Sequence, residues 1–481
     1  SRDQSLESTF DADFTAAELV DENRVDYDFK TFTQEFRLTS NGDSDTQWMV
    51  GISHSNEDIE SFRNVTFGDD LYAYADALIT GGLFAGIAAQ AAAGYIEATG
   101  DTAGAEAYGV GIATDTLAPV GGSGINLIGA SFEMCVVNAE PCSDIFYVPE
   151  TGNVDESFQM EGVATSLFGQ VDFAISDQLT ATVGLNFTED KKTVVSDVLV
   201  IDEFAKLSLA GGDFDGVKGL QLFPEFPAYG GDEDESGIFQ SDDLTHTLRL
   251  AYDLNEGMTV YASHSTGFKA ASVNLSVDGR TPGNRSADPE EATNIEIGFK
   301  AAFDNGYLNL ALFQQSIDGF QSNEFSGTGF NLVNAGKETH EGIELTGMFA
   351  LTESLVVNVS AITIDAVYDS FDEGTCDRTG LAGEAYQCPP GSDFVELSGQ
   401  TPAGVHELSI NANAVYSFNV NDSVNGFLRV EYVHESDAKV ANLIPESLAS
   451  RGTDNLNASL GFSSENGGWD AMLWGRNLTD H

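Results

Sequence analysis

The stretch TNIEIGFKAAFDNGYLNLALFQQ, residues 293–315, alternates apolar and polar side chains with a period of two. Ile295, Ile297, Phe299 and Phe303 are apolar, while Asn294, Glu296 and Lys300 between them are polar. After Asp304-Asn305-Gly306 the alternation resumes, with Leu308, Leu310 and Leu312 on one face. A period of two predicts β-strands whose faces meet different surroundings. The tight Asp-Asn-Gly turn joins the strands as a hairpin. Two architectures meet that demand. In a soluble sandwich the apolar face points inward. In a membrane barrel it points at lipid, and the polar face lines a wet lumen.

The same grammar runs almost end to end. Alternating segments at 27–40 with 46–58, and at 163–192, 244–270, 293–315, 341–367, 406–433 and 454–478, predict seven hairpins and fourteen strands. Turns within hairpins are short, whereas the connections 59–162, 193–240, 271–290, 321–335, 369–400 and 436–452 are long. Short turns at one end and long loops at the other is the membrane-barrel pattern. The runs carry about 9–13 alternating residues, enough to cross a hydrocarbon core when tilted, where sandwich strands have about 5–6. Thr, Ser, Asn, Gln, Glu and Arg recur at strand centres on the second face. In a dry core each would need a partner or cost a few kcal/mol; a wet lumen removes that cost. The 481 residues show no linker or change of pattern that would divide them into domains. These features predict an all-β fold, an antiparallel transmembrane β-barrel. Arg249, Glu296, Lys300, Glu344 and Arg429 are then expected on its lumen side.

The chain holds 77 acidic and 20 basic residues, a net charge of −57. Such a surface repels nucleic acid, which excludes a polyanion-binding role. It fits a solvated acidic exterior of the kind salty water selects, or an acidic funnel that concentrates cationic ligands. Four cysteines form two local pairs in stretches without strand signal, Cys135 with Cys142 and Cys376 with Cys388. Short-range pairing in loops fits disulfides in an oxidising exterior. The run ALITGGLFAGIAAQAAAGYI, 77–96, is too rich in Ala and Gly for a membrane span and is read as a helix within a loop. Seven histidines show no i, i+4 pair, and each is expected at the lumen or interface rather than on a metal. The acidic runs 231–236 and 370–374 lack EF-hand spacing and read as solvated loops. No catalytic constellation, metal site or cofactor motif is found, so the chain is not expected to be an enzyme. Phe223, Phe226, Tyr229, Phe325 and Phe330 in the long loops are candidates for stacking on a flat ligand, or for packing the loops locally.

Five segments in order resemble the TonB-dependent outer-membrane receptors of Gram-negative bacteria: FTQEFRLTS (32–40), VYASHSTGFKAASVN (260–274), DPEEATNIEIGFKAAF (288–303), NAGKETHEGIELTG (334–347) and WGRNLTD (474–480). The resemblance covers essentially the whole chain. It implies a 22-stranded barrel in the cell outer membrane, of which the fourteen strands would be the eighth to twenty-first. Residues 1–481 would be the barrel domain in part, with the plug, TonB box, early strands and last strand outside it. The implied activity is TonB-energised import of a scarce ligand. Its partners would be TonB (through the plug), membrane lipid and a small molecule. A ferric siderophore is the family's commonest cargo; cobalamin, haem and oligosaccharides are others, and the loop motif of haem receptors is absent. The lumen charges would pair with the plug or with one another. The competing classes are a passive porin and a surface adhesin.

Overall fold

The structure is a computed structural model. It describes residues 2–9, 17–42, 44–71, 73–74, 88–96, 98–102, 104–117, 151–201, 237–274, 286–326, 329–372, 374–376, 387–389, 394–442, 444–445 and 447–479. The chain starts with β1 (Arg2–Thr9), β2 (Val20–Thr39) and β3 (Thr46–Phe67), and helix α1 (Ala105–Leu117) lies in the connection that follows. Next come β4 (Gly152–Ser176), β5 (Leu179–Val200), β6 (Ile238–Asn255) and β7 (Met258–Lys269). A short pair, β8 (Ser272–Val273) and β9 (Ser286–Ala287), precedes β10 (Glu290–Phe303) and β11 (Gly306–Asp318). A second pair, β12 (Gln321–Ser326) and β13 (Gly329–Asn334), precedes β14 (Lys337–Thr352) and β15 (Leu355–Ser370). The third pair is β16 (Gly374–Thr375) with β17 (Phe394–Val395). The chain finishes with β18 (Leu408–Asn421), β19 (Val424–Lys439), β20 (Ser450–Ser464) and β21 (Asp470–Gly475).

Apart from the three short pairs, all strands join one antiparallel sheet in which sequence neighbours are spatial neighbours. The seven expected hairpins are present. The sheet has fifteen strands rather than fourteen, because β1 adds to β2, from Arg2 opposite Thr31 to Thr9 opposite Arg24. β1 and β21 are its two edges. The strands also outrun the alternating segments: β2 to β5 have 20, 22, 25 and 22 residues. At about 3.3 Å per residue β4 is roughly 80 Å long, well beyond the roughly 9–11 residues a tilted strand needs to cross a bilayer.

The register decides which way each face points. Trp48, Val171, Val183 and Leu248 stand side by side across β3, β4, β5 and β6. Phe299, Leu310 and Leu345 do so across β10, β11 and β14. This apolar face is uncovered: Leu185, Leu250 and Ile297 are 51%, 53% and 58% exposed. A belt of that extent, far above the few hundred Å² a soluble monomer leaves open, fits only lipid. At its short-turn end it carries aromatic residues. Phe303 and Phe349 lie 6.0 Å apart, and Phe418 sits 5.9 Å from Tyr416 and 6.2 Å from Phe462. An aromatic girdle is what a membrane–water boundary selects.

The polar face is bonded to itself. Thr182 donates to Asp172 at 2.6 Å, Ser166 and Thr188 pair at 2.7 Å, and Asn358 donates to Asn413 at 3.0 Å. Buried apolar clusters occur instead at the long-loop end. One comprises Phe158, Met160 and Val194. Another gathers Tyr368, Phe371, Val395, Leu397 and Cys376, which is disulfide-bonded to Cys388. Cys135 and Cys142 lie outside the described residues, as does most of 77–96, of which 88–96 is helical. Among the described residues no helix is long and apolar enough to cross a membrane, which says nothing about crossing by strands.

Candidate functional site

Four of the five charges expected on the lumen side converge on one patch of the polar face. Antiparallel pairing sets Arg249 of β6 opposite Ser263 of β7, and Ser263 opposite Glu296 of β10. Lys300 follows Glu296 at i+4 and shares its face. Glu344 of β14 reaches the same row through Ala311, which pairs with Gly298. The hub is Tyr261 of β7, which the sequence reading did not single out. Its phenol donates to Glu296 Oε1 at 2.5 Å. The Arg249 guanidinium lies 4.4 Å from its ring centroid and Lys300 Nζ 5.4 Å. Glu344 is within electrostatic reach of the phenol. Cations over a tyrosine face gain about 0.5–2 kcal/mol each, more as water is excluded.

The backbone makes room for that hub. Gly298 is directly opposite Tyr261, and a Cβ there would stand 2.2 Å from the ring. Phe313 covers Gly342 and Phe427 covers Gly461 in the same manner. The signal for Tyr261 was present in the alternation of VYASHSTGFK, where it shares the polar face with Ser263 and Ser265. It was hidden because a tyrosine is at home on either face.

Arg429 lies apart on β19, 3.5 Å from Glu431. Phe325 and Phe330 are opposite each other in the β12–β13 hairpin. Phe223, Phe226 and Tyr229 lie outside the described residues. Two histidines that looked isolated in sequence meet across β6 and β7: His246 Nε2 is 3.0 Å from His264 Nδ1. Both are on the apolar face, with Thr266 bonded to the backbone N–H of His246. Among the described residues no group of three or more His, Cys, Asp or Glu is arranged to hold a metal. The patch brings two cations, two carboxylates and a phenol together on one face of the wall.

An uncovered apolar belt, an aromatic girdle and a hydrogen-bonded polar face define the wall of a membrane β-barrel. The chain belongs to the TonB dependent receptor-like β-barrel family, whose family model matches residues 2–478. This places it in the Gram-negative outer membrane. Solved structures share the fold at low identity. One is the ferric yersiniabactin uptake receptor FyuA from Yersinia pestis, with TM-score 0.61 and 13% identity, covering 100% of this chain and 52% of that one. A second is the siderophore receptor PiuA from Acinetobacter baumannii, with TM-score 0.54 and 16% identity, covering 96% and 53%. A third is the copper transporter OprC, with TM-score 0.50 and 11% identity, covering 96% and 52%. The chain therefore spans about half the length of the solved structures it matches.

Proposed function

We propose that the protein imports a scarce ligand across the outer membrane with energy delivered through TonB, and that the ligand is a ferric siderophore. The observation that carries the reading is the charged patch Arg249–Tyr261–Glu296–Lys300–Glu344 on the polar face of the wall. Side chains of both signs on the wall fit a lumen filled by a polar occupant, and the plug that family membership implies is the fitting partner for them. Membership supports the energised mechanism. The siderophore assignment draws on two of the similar folds, FyuA, a ferric yersiniabactin uptake receptor, and PiuA, a siderophore receptor. OprC carries copper on the same fold, so fold alone does not select the metal. The net charge of −57 opposes an anionic chelate. At sea-like salt the Debye length falls to about 3–5 Å and screens most of that repulsion.

The test is deletion of the gene, followed by uptake of labelled iron chelates, cobalamin and oligosaccharides with and without functional TonB. Loss of TonB-dependent iron-chelate uptake supports the assignment. Loss confined to cobalamin or carbohydrate overturns the cargo. Uptake indifferent to TonB overturns the mechanism.

A further inference from the structure

A second feature of the polar face lies away from the charged patch, where β19, β20 and β21 meet. A cavity of about 260 Å³ is lined by Arg429, Glu431, Asn457, Ser459, Trp474 and Arg476, with three neighbours from the same strands. The register places Arg429 opposite Ser459, and Ser459 opposite Trp474, so guanidinium and indole rise from one row of the wall. The Arg476 guanidinium lies over the Trp474 ring, 5.0 Å from its centroid, and among the described residues it has no carboxylate within ion-pair distance. Arg429 has only the long 3.5 Å contact to Glu431, with half of its own side chain exposed.

We propose that this cavity is a transit subsite on the inner wall for a small anion carrying a planar aromatic ring, the chemistry of an aryl carboxylate or catecholate arm of an iron chelate. The inference rests on the import reading above. Two guanidiniums converge here in a chain with only 20 basic residues against 77 acidic. Guanidinium forks match a carboxylate or vicinal oxyanions in a plane, which a lysine cannot do. Trp474 carries the Arg476 guanidinium over its ring, and a planar ring packs against the exposed remainder of the indole, with Asn457 and Ser459 lining the same cavity. The volume suits one arm of a chelate rather than a whole ligand, whose pockets begin near 300 Å³. Arg429 is the sixth of the 16 residues of β19, which starts at the tight turn after Asn421, so the cavity is nearer the short-turn end than the long-loop rim. An anionic cargo repelled by the acidic exterior would meet a local cationic station there.

The experiment titrates the receptor, purified from outer membranes, with the ferric complex of 2,3-dihydroxybenzoate while tryptophan fluorescence is followed. Benzoate, cyclohexanecarboxylate and benzyl alcohol serve as competitors. Arg429→Gln and Arg476→Gln should each weaken binding about tenfold or more, and Trp474→Phe only a few-fold. Arg37→Gln removes an equal charge from the same face outside the cavity and should leave binding unchanged. Benzoate should compete better than either the non-planar acid or the neutral alcohol. Equal affinities for the Arg429, Arg476 and Arg37 variants overturn the inference, as does competition blind to charge and planarity. Heat-modifiable migration of each variant separates loss of a site from loss of fold. If wild-type cells import the iron chelate but the variants match wild type, the subsite fails and the import reading stands. If arginine-dependent binding is found without uptake of any iron chelate, the import reading fails and the subsite stands.

Discussion

Tyr261 lies flat over Gly298 on the adjacent strand, so close that a methyl group at Gly298 would overlap the ring, 2.2 Å from its Cζ. The contact holds the ring where Arg249 and Lys300 both reach it and where its hydroxyl meets Glu296. Gly298→Ala should therefore displace the ring rather than fill a void. The expected cost is about 1–3 kcal/mol, as for other overpacked sites. Tyr261→Phe should keep the packing and lose only the hydrogen bond, about 0.5–1.5 kcal/mol. Unfolding in urea from lipid vesicles measures both. A Gly298→Ala protein as stable as wild type would show that the ring has another place to go.

Face assignment makes a sharper prediction. Leu310 and Leu185 point from the apolar face, while Asn309 and Asn186 beside them belong to the bonded polar face. Arginine at Leu310 or Leu185 should cost about 2–4 kcal/mol near the bilayer midplane. Arginine at Asn309 or Asn186 should cost less, because its charge enters a polar lumen. Reversal of that order would turn the sheet inside out.

The belt explains which parts of the fold could be read from the sequence. Where a strand crosses lipid, its two faces see opposite solvents and the alternation is strict, as at Ile295, Ile297, Leu310 and Leu312. Beyond the belt the contrast of lipid against lumen is gone and residues such as Phe158, Met160 and Val194 pack in a local cluster, so the alternation ends although the hydrogen-bonded ladder continues. β1, with sequence RDQSLEST, pairs only with Arg24–Thr31 of β2, above the belt, and carries no apolar face to detect. The upper halves of β3 to β5 went unread for the same reason. Of the charged patch, charge and parity gave Arg249, Glu296, Lys300 and Glu344. That they meet depends on register across five strands, β6, β7, β10, β11 and β14, which composition does not show.

The disulfide Cys376–Cys388 belongs to the apolar cluster of Tyr368, Phe371, Val395 and Leu397 at the long-loop end. A loop of this length is stabilised by about 2–4 kcal/mol when closed. Cys376→Ala with Cys388→Ala should raise amide exchange at Phe371 and Leu397 while leaving the spanning strands protected. Alkylation of unreduced, denatured protein should label none of the four cysteines. Labelling of two would show that Cys135 and Cys142 are free thiols.

Acid should loosen the same loop. The Ser398 hydroxyl and backbone N–H hold the Glu396 carboxyl below its ordinary range, and Ser398 Oγ also accepts the Phe371 N–H at 2.8 Å. A carboxyl whose value is depressed by folding contributes stability that is present above its unfolded value, near 4.3, and lost as pH falls through its folded value. Protection of the Phe371 amide should drop on acidification below about pH 4, and Ser398→Ala should remove that pH dependence. Because Glu396 is exposed, the effect is local and should weaken in high salt.

Gln321 is the residue on which two neighbouring outer connections depend. It is buried at the start of β12. Its Nε2 donates to the carbonyls of Ala270 at 3.1 Å and Asp288 at 2.8 Å. Its Oε1 accepts from the Ser272 hydroxyl, and its backbone N–H donates to Glu290. Asn334, at the end of the partner strand β13, donates to the carbonyls of Asp288 and Gly319 and accepts the Asp288 N–H. Together they tie the β7–β10 connection to the β11–β14 connection through backbone groups that otherwise have no strand partner. Gln321→Leu keeps the volume and removes the side-chain bonds, leaving about 1–3 kcal/mol unmet for each buried group orphaned. The spanning ladder does not pass through Gln321, so global unfolding should change little. The predicted signature is loss of amide protection confined to the β8–β9 and β12–β13 pairs, with cleavage by external protease becoming faster there. Protection spread evenly over both connections and the spanning strands, or unchanged in both pairs, would mean that the two loops are held by other contacts.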